Sequence, residues 1–215
     1  MLIPLKQILE KYNIKVSGVI HVGAHWAEEH GDYINCGIKE FVYIEPCKEA
    51  FDILKLKFTY PSEFSTGLEN YVSLFNCACG SEEKEDVMYT SGNNQGQSNS
   101  LLKPMLHLQQ HPEVVFDDAE AVKVIPLDML PIQKEKYNLL VMDCQGYEGE
   151  ILKGATETLK HIDIIYTEIN TGETYENNML VTDMDKFLEP FGFVRVETFL
   201  PSPNWTWGDA IFVKR

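Results

Sequence analysis

Three carboxylates in this chain stand directly after apolar runs that are typical of buried strands. Glu45 follows "VYI", Asp143 follows "LLVM" and Glu168 follows "IIYT". The carboxyl ends of parallel strands meet at one sheet edge, so we expect these acids to converge on one cleft, with Glu148 on the helix start after Asp143. Like charges in a cleft raise pKa values and suit proton transfer, which makes Asp143, Glu168 and Glu148 the candidate catalytic residues. The alternative for each is a solvated or helix-capping acid.

A turn of small residues precedes Glu45. The segment "GVIHVGAH", residues 18–25, leads an apolar run into Gly23 and Ala24, where the backbone can approach a ligand closely. The helix start after such a turn offers free N–H donors. Glu45 follows Gly23 by 22 residues, close to the spacing at which nucleotide-binding α/β folds place an acid on the ribose hydroxyls. Turn and acid together predict a nucleotide-type cofactor site, whereas the turn alone fits an ordinary strand end equally well.

Strands and helices must alternate to position these residues. Apolar runs predict strands over residues 16–22, 40–46, 71–79, 86–90, 121–130, 137–144, 162–169, 193–199 and 208–214. Helical spacing predicts helices near residues 5–9, 27–37, 47–58, 101–111, 148–159 and 181–191. This alternation predicts a mostly parallel α/β sheet with right-handed crossovers. The last two strands have no helix between them, and such an antiparallel terminal hairpin favours the methyltransferase variant of the Rossmann-like fold over a dehydrogenase.

Size, charge and cysteine usage exclude other classes. The 215 residues predict a single domain, with residues 1–17 as a helical extension at its start. The net charge of −15 repels phosphate backbones, so we expect no nucleic acid partner. No apolar run approaches the roughly 20 residues of a membrane span. The five cysteines are odd in number and lie in or beside apolar runs, as expected of reduced thiols in a cytoplasmic protein, and Cys77 and Cys79 are better explained as buried residues than as metal ligands.

The sequence leaves two alternative roles open for each of two segments, one polar and one aromatic. The segment "SGNNQGQSNS", residues 91–100, carries amides and hydroxyls suited to a hydroxyl-rich substrate, so Asn94, Ser98, Asn99 and Ser100 are candidate substrate ligands in a lid. The alternative is a mobile surface linker. The segment "NWTWGD", residues 204–209, would either flank the cleft, where aromatic faces stack on sugars or adenine, or pack within the hairpin turn.

Five pieces of the chain resemble the FkbM family of S-adenosylmethionine-dependent methyltransferases. They are "VIHVGAH", "VYIEP", "MDCQGYEGEILKGA", "YTEI" and "DAIFVKR", and they occur in the family's order from about Val19 onward. The third is the most distinctive, because it is similar to the family's D-x-E-G-x-E-x-x-x-L-x-G-A signature. The resemblance implies S-adenosylmethionine as cofactor and O-methylation of a hydroxyl on a sugar, glycan or other small metabolite. It assigns cofactor binding to His21, Gly23, Ala24, His25, Glu45, Pro46, Ala78 and Asp143.

The chain departs from the family pattern at several of these positions. His21 replaces the usual acid, His25 the usual Asn, Ala27 the usual Gly, Gln145 a common Glu and Met142 a common Lys. In the family the first acid helps to hold the methionine amino group. Acids that are able to replace it here are Glu28, Glu29 and Asp143. A structural histidine is the more frequent role for a residue placed like His21, so we do not expect it to act as a base.

The expected chemistry is methyl transfer to a hydroxyl whose proton passes to a carboxylate, Asp143 first and Glu168 second. Carboxylates also suit Mg²⁺, yet no metal-dedicated spacing is present, so the sequence leaves a divalent metal open. It also leaves open the acceptor and the oligomeric state. The two alternative functions are an NAD-type oxidoreductase and a non-catalytic domain that has kept the fold.

Overall fold

The computed structural model of the chain describes residues 1–59 and 71–215. Within that part the strands are β1 Gly18–Val22, β2 Glu40–Ile44, β3 Tyr71–Phe75, β4 Ala78–Cys79, β5 Lys84–Thr90, β6 Asp118–Ile125, β7 Leu139–Met142, β8 Ile164–Asn170, β9 Phe193–Phe199 and β10 Trp207–Lys214. The α-helices are α1 Leu5–Tyr12, α2 His30–Asn35, α3 Lys48–Thr59, α4 His107–Gln110, α5 Glu148–Lys153 and α6 Val181–Leu188. None of these helices has both the length and the apolar character that a membrane crossing needs.

Seven strands form the central sheet, in the order β3-β2-β1-β7-β8-β10-β9. The first five are parallel to one another, whereas β10 is antiparallel to both β8 and β9. From β1 the chain adds β2 and β3 on one side, and it later adds β7 and β8 on the other side. Open α/β sheets bind ligands at such a point, which here lies between β1 and β7. The predicted Rossmann-like sheet with an antiparallel terminal hairpin is therefore confirmed.

The two faces of the sheet carry separate apolar clusters because neighbouring strand residues point to opposite sides. On β1, Val19 belongs to one cluster and Ile20 to the other, and both are fully buried. Helix α1, predicted as an extension, buries Leu5, Ile8 and Leu9 in the same cluster as Val19. These residues recur at the spacing of one helical face, so the N-terminal helix is anchored to the sheet by apolar contact.

Several predicted elements are wrong in extent. The run over residues 71–79 is two strands: β3 belongs to the central sheet, while β4 joins β5 and β6 in a second, three-stranded sheet. The segment after Pro104 forms only the single turn α4, and the strand predicted over residues 121–130 is β6, which ends at Ile125. Strand β8 continues two residues beyond Glu168, so this acid lies within the strand and does not close it.

The predicted helix over residues 27–37 is shortened to α2 because the preceding turn has left-handed backbone. His25 and Ala27 have φ of 46° and 51°, a conformation that costs about 1–2 kcal/mol per residue for ordinary side chains. Asn and Gly, which the family usually carries there, tolerate it best. Lys57 on α3 helps to hold the turn by donating from Nζ to the carbonyls of Trp26 and Ala27, at 2.9 and 2.6 Å.

The signature segment over residues 143–155 is shaped by close packing beside the second sheet. A Cβ on Gly154 would lie 1.9 Å from the carbonyl oxygen of Gly80, next to β4, so no larger residue fits. Asp128, from the "LDML" stretch, accepts hydrogen bonds from the backbone N–H groups of Glu157 and Thr158, each at 2.8 Å. These contacts fix α5 and the turn after it behind the carboxyl end of β7.

Candidate active site

A cavity of about 630 Å³ opens at the carboxyl ends of β1, β2, β7 and β8. Its volume lies within the roughly 300–1,000 Å³ typical of small-molecule sites. Every residue predicted to bind the cofactor lines it, from His21 on β1 to Asp143 after β7. Glu168, Asn94, Ser98 and Asn99 line it as well, so the structure brings the candidate acids and most of the polar segment to one place.

The turn after β1 does not offer the free N–H donors that we expected from the sequence. The N–H groups of Gly23 and Ala24 both donate to the carbonyl of Ile44, at 3.0 and 3.1 Å, and the N–H of His25 donates to Glu45 Oε2 at 2.8 Å. Helix α2 begins only at His30, too late in the chain for its N-terminus to form part of the turn. The turn therefore lines the cavity with small residues and carries no anion-binding set of amides.

Gly23 is required for a reason other than ligand approach. Its φ is 76°, and a Cβ there would lie 2.0 Å from the carbonyl oxygen of Asp143. The glycine thus allows the chain after β1 to pass directly against the chain after β7. This contact brings Asp143 close to the predicted cofactor turn.

Glu45 lies at the end of β2 and is 6% exposed. Its two carboxylate oxygens accept hydrogen bonds from the N–H groups of His25 and Cys47, both at 2.8 Å. Burial raises the pKa of Glu45 to about 7, although these two hydrogen bonds favour the ionised form. Each carboxylate oxygen has a second lone pair, so the fixed side chain keeps acceptor capacity toward the cavity.

Gln145 connects the other two acids. Its Nε2 donates to Asp143 Oδ1 and to Glu168 Oε2, both at 2.9 Å, and its Oε1 accepts from the Tyr175 hydroxyl at 2.7 Å. Burial, and then the neighbouring charge of Asp143, raise the pKa of Glu168 well above its usual range. Asp143 itself is exposed to the cavity. The arrangement therefore holds a protonated Glu168 beside an accessible Asp143.

Two predicted site residues, Glu148 and Ser100, do not line the cavity. Glu148 is buried and accepts from the N–H of Cys144 at 2.7 Å, and burial raises its pKa to about 8. Ser100 is also buried, and its hydroxyl donates to the backbone carbonyl of Gln145 at 2.7 Å. Both therefore contact the segment that carries Asp143 and Gln145 without lining the cavity.

The polar segment over residues 91–100 is ordered by its own side chains. Asn94 donates from Nδ2 to the Ser98 hydroxyl at 2.8 Å, and Asn99 accepts from the N–H of Ser91 at 2.8 Å. His25 attaches it to the predicted cofactor turn, with Nδ1 2.6 Å from Glu28 Oε1 and Nε2 2.9 Å from the carbonyl of Gln95. Both partners only accept, so this geometry suits a doubly protonated imidazole. Burial lowers the pKa of His25, but the two hydrogen bonds and the charges of Glu28 and Glu45 together outweigh it, so the pKa is raised.

His21 has the environment of a structural residue. It is 3% exposed, and its Nδ1 lies 3.2 Å from the hydroxyl of Tyr33. Burial lowers the pKa of His21, so the ring is neutral at physiological pH. A neutral ring cannot substitute for the acid that the family usually carries here. Glu28, Glu29 and Asp143 all line the same cavity and remain the candidates for that role.

Sequence reasoning missed several cavity residues, and four of them carry rings that lie together. His107 and His111 on and after α4, Tyr175 after β8, and Trp207 at the start of β10 all line one end. The two histidines are four residues apart, a spacing that places side chains on one helical face and is the one sequence signal for their proximity. Trp207 stacks on Trp205 with ring centroids 5.4 Å apart, so the two rings pack together in the hairpin, and Trp207 also contributes to the cavity wall.

Metal ligation has no support in the arrangement of these side chains. Within residues 1–59 and 71–215, no three or more His, Cys, Asp or Glu side chains are grouped as ion ligands. Cys77 and Cys79 are both buried in the apolar cluster between sheet and helices, and burial raises the pKa of each thiol.

Comparison with known proteins identifies the family. The model of the methyltransferase FkbM domain matches residues 21–195, which is most of the chain. The chain belongs to this family, and the resemblance stated from its motifs is confirmed. The 2-O-methyltransferase NoeI of Sinorhizobium fredii (strain NBRC 101917 / NGR234) is 32% identical over 99 residues, which cover 45% of this chain and 41% of that protein. The match thus spans less than half of the curated relative.

Solved structures agree on the fold. Methyltransferase FkbM from Methylobacillus flagellatus KT superposes with a TM-score of 0.60 at 15% identity, covering 93% of this chain and 44% of that one. Magnesium protoporphyrin IX methyltransferase from Synechocystis PCC 6803 with bound S-adenosylmethionine superposes with a TM-score of 0.51 at 9% identity, covering 99% and 80%. At these identities the likeness concerns the Rossmann-like methyltransferase architecture alone.

Proposed function

We propose that this protein transfers a methyl group from S-adenosylmethionine to a hydroxyl of a sugar, glycan or similar small metabolite. The observation that carries the proposal is the pairing of Asp143 with Glu168 in the same cavity as Glu45. Family membership and the antiparallel position of β10 favour this function over an NAD-type oxidoreductase. The 2-O-methyltransferase NoeI supports oxygen as the methylated atom.

The residues of the cavity fit S-adenosylmethionine, which supplies a methyl group on a positively charged sulfur when bound. Glu45 is fixed at the end of β2 with acceptor capacity for the two ribose hydroxyls. Gly23 and Ala24 leave room beside it. Carboxylates nearby attract a positive charge, and Glu28, Glu29 and Asp143 are placed to hold an amino group.

Asp143 is the proposed general base. Glu168 holds its proton at neutral pH because burial raises its pKa, and Asp143 is the more accessible acceptor of the two. Gln145 orients both side chains through its amide, and Tyr175 fixes the amide in turn. Asp143 can therefore accept the hydroxyl proton, while the rigid neighbours hold it in one orientation. Much of the rate would come from this positioning.

The polar segment over residues 91–100 is proposed as a cover of the site, since Asn94, Ser98 and Asn99 line the cavity. Its hydrogen bond to His25 attaches it to the turn that would contact the cofactor. Asn94→Ala is expected to lower turnover with little effect on cofactor affinity. A cytoplasmic location stays a prediction, with which the five free cysteines are consistent.

The test combines cofactor binding with methyl transfer. Asp143→Asn preserves shape and removes basicity, so it should bind S-adenosylhomocysteine in calorimetry yet lose about 10²–10⁴ in transfer rate from tritiated S-adenosylmethionine to a panel of methyl glycosides. Asp118→Asn, an exposed aspartate of β6 outside the cavity, is the matched control and should behave as wild type. Full turnover in both Asp143→Asn and Glu168→Gln would refute carboxylate base catalysis. Cofactor binding without transfer in the wild-type protein, to any acceptor tried, would favour the non-catalytic alternative.

A further inference from the structure

The end of the cavity beyond the acids is walled by rings. His107 contacts Tyr175, with ring centroids 5.4 Å apart, and His111, at 5.1 Å. Trp207 donates from Nε1 to His111 Nε2 at 3.1 Å. Trp205 stacks behind Trp207 and does not itself line the cavity. The cavity thus meets a supported aromatic surface that continues from Tyr175, which is bonded to Gln145 in the acid group.

His107 lines this end of the cavity and has a polar atom without a partner in the described part of the chain. The residue is 4% exposed, and its Nδ1 is buried without a hydrogen-bond partner among the described residues. Burial, together with the nearby His111, lowers the pKa of His107 to about 4, so the ring is neutral. A buried polar atom without a partner is destabilising, and a ligand group that bonds to it would remove that cost. The orphaned nitrogen therefore points to a ligand with a hydroxyl at this end.

The charges that line the cavity restrict what the ligand carries. Seven carboxylates contribute to the lining: Glu28, Glu29, Glu45, Glu113, Asp143, Glu168 and Asp209. Among the lining residues of the described chain there is no lysine or arginine. The cationic groups of the lining, the Met1 ammonium and His25, are already paired with Glu29 and Glu28. A phosphate or carboxylate group would therefore have to compete with these acids for a cationic partner, at a large desolvation cost. Hydroxyl groups meet no such penalty.

We propose that the aromatic end is the acceptor subsite and that it takes an uncharged sugar ring, with the apolar face of the ring on Trp207 and a hydroxyl bonded to His107. The proposal rests on the proposed methyl transfer and specifies its acceptor. Sugar phosphates, nucleotide sugars and uronic acids are excluded as acceptors. A free sugar and the terminal residue of a glycan present the same ring, and both belong to the proposed class.

Saturation-transfer NMR on the full chain tests the subsite without requiring catalysis. The neutral probes are the methyl glycosides of glucose, galactose, mannose and N-acetylglucosamine at millimolar concentration, with maltose and diacetylchitobiose as glycan ends. The charged probes are the hexose 6-phosphates and methyl glucuronide. At least one neutral probe should bind and its charged counterpart should not. Binding of a disaccharide also supports the subsite, whether or not the corresponding monosaccharide binds. It would indicate that the subsite accepts the terminal sugar of a glycan.

Variants then assign the contacts. Trp207→Ala is expected to weaken binding of the neutral probe about tenfold. Trp207→Phe should weaken it much less, since stacking needs only a ring face. His107→Phe keeps the ring and removes the nitrogens, and should weaken binding about three- to tenfold. Phe199→Ala, an aromatic of the same hairpin that is 45% exposed and outside the cavity, is the matched control. Melting curves confirm that each variant folds.

Four results would overturn the proposal: no neutral probe binds, a charged probe binds as tightly as its neutral form, Trp207→Ala leaves affinity unchanged in a folded protein, or His107→Phe does so. Calorimetry with S-adenosylhomocysteine is run in parallel. Sugar binding in a protein that fails to bind this compound would contradict the proposed methyl transfer while leaving the sugar subsite in place. Cofactor binding without any sugar binding would contradict the subsite alone.

Discussion

Replacing Gln145 with Glu is the sharpest perturbation of the acid group. The wild-type amide donates to Asp143 and to Glu168, and its carbonyl oxygen accepts from Tyr175. Gln145→Glu removes both donated bonds and places a third carboxylate 2.9 Å from each of the other two, if the side chain keeps its position. At that separation and an effective dielectric of about 20, two unit charges repel by about 6 kcal/mol. An ionised Asp143 would supply this repulsion, whereas Glu168 contributes less because burial raises its pKa.

Proton uptake limits this cost and gives it a pH dependence. Protonating one glutamate of ordinary pKa costs about 1.4 kcal/mol for each pH unit above that pKa, or about 5 kcal/mol at pH 8 and about 1–2 kcal/mol at pH 5.5. The neighbouring acids raise the pKa of the introduced glutamate in the folded protein above its value in the unfolded chain. The variant is therefore most stable at low pH, and its free energy of unfolding falls as the pH rises. We therefore expect Gln145→Glu to reduce the free energy of unfolding by about 3–5 kcal/mol at pH 8 and by about 1–2 kcal/mol at pH 5.5.

Urea unfolding followed by circular dichroism at the two pH values measures this difference. Gln95→Glu is the matched control, since Gln95 is exposed and also has a left-handed backbone with φ of 62°; it should change stability by less than about 0.5 kcal/mol. Mg²⁺ should recover part of the loss in Gln145→Glu, because three carboxylates together suit this ion. An equal loss at both pH values, or none at pH 8, would show that the bridging role of Gln145 is mistaken.

Three further predictions concern the predicted cofactor turn. Gly23→Ala should destabilise the protein by about 3 kcal/mol or more, since its Cβ meets a backbone oxygen at 2.0 Å, whereas Gly31→Ala in α2, with nothing within 4 Å, should be neutral or stabilising; similar unfolding midpoints would contradict this. Glu45→Ala should weaken S-adenosylhomocysteine by about 1–3 kcal/mol in calorimetry, and unchanged affinity in the folded variant would remove Glu45 from the ribose site. Because the pKa of His25 is raised, its bond to the carbonyl of Gln95 should be retained at low pH and lost as pH rises through that pKa. Opening of residues 91–99, followed by hydrogen exchange corrected for intrinsic rates, should rise with pH in wild type and be pH-independent in His25→Gln; parallel profiles would argue against the tether.

The central sheet was predictable because each of its strands can be recognised from a few consecutive residues. Each of its strands is a short apolar run, and the absence of a helix between residues 199 and 207 predicted the antiparallel hairpin. The second sheet was not predictable as such: β4 is only Ala78–Cys79, and its partner β6 begins at Asp118. Nothing within a two-residue strand specifies a partner so distant in sequence.

The candidate site was predictable to the level of strand ends. Glu45 and Asp143 line the cavity as expected because parallel strands deliver their last residues to one edge. Hydrogen bonding was not predictable, since the N–H groups of Gly23 and Ala24 are used by Ile44, a residue of the neighbouring strand. The same holds for His107, which reaches the cavity through the pairing of its own N–H with the carbonyl of Thr174.

The position of β10 between β8 and β9 sets the order in which the site can be assembled during synthesis. Asp209 lies opposite Glu168 in the β8–β10 ladder, and Trp207 opposite Asn170. The strands β1 to β9 are therefore synthesised before these two residues, although β10 separates β9 from β8 in the folded sheet. Until then the edge of β8 is unpaired and open to other strands. The nascent chain would consequently acquire the strands that carry Glu45 and Asp143 before the strand that carries Trp207 and Asp209.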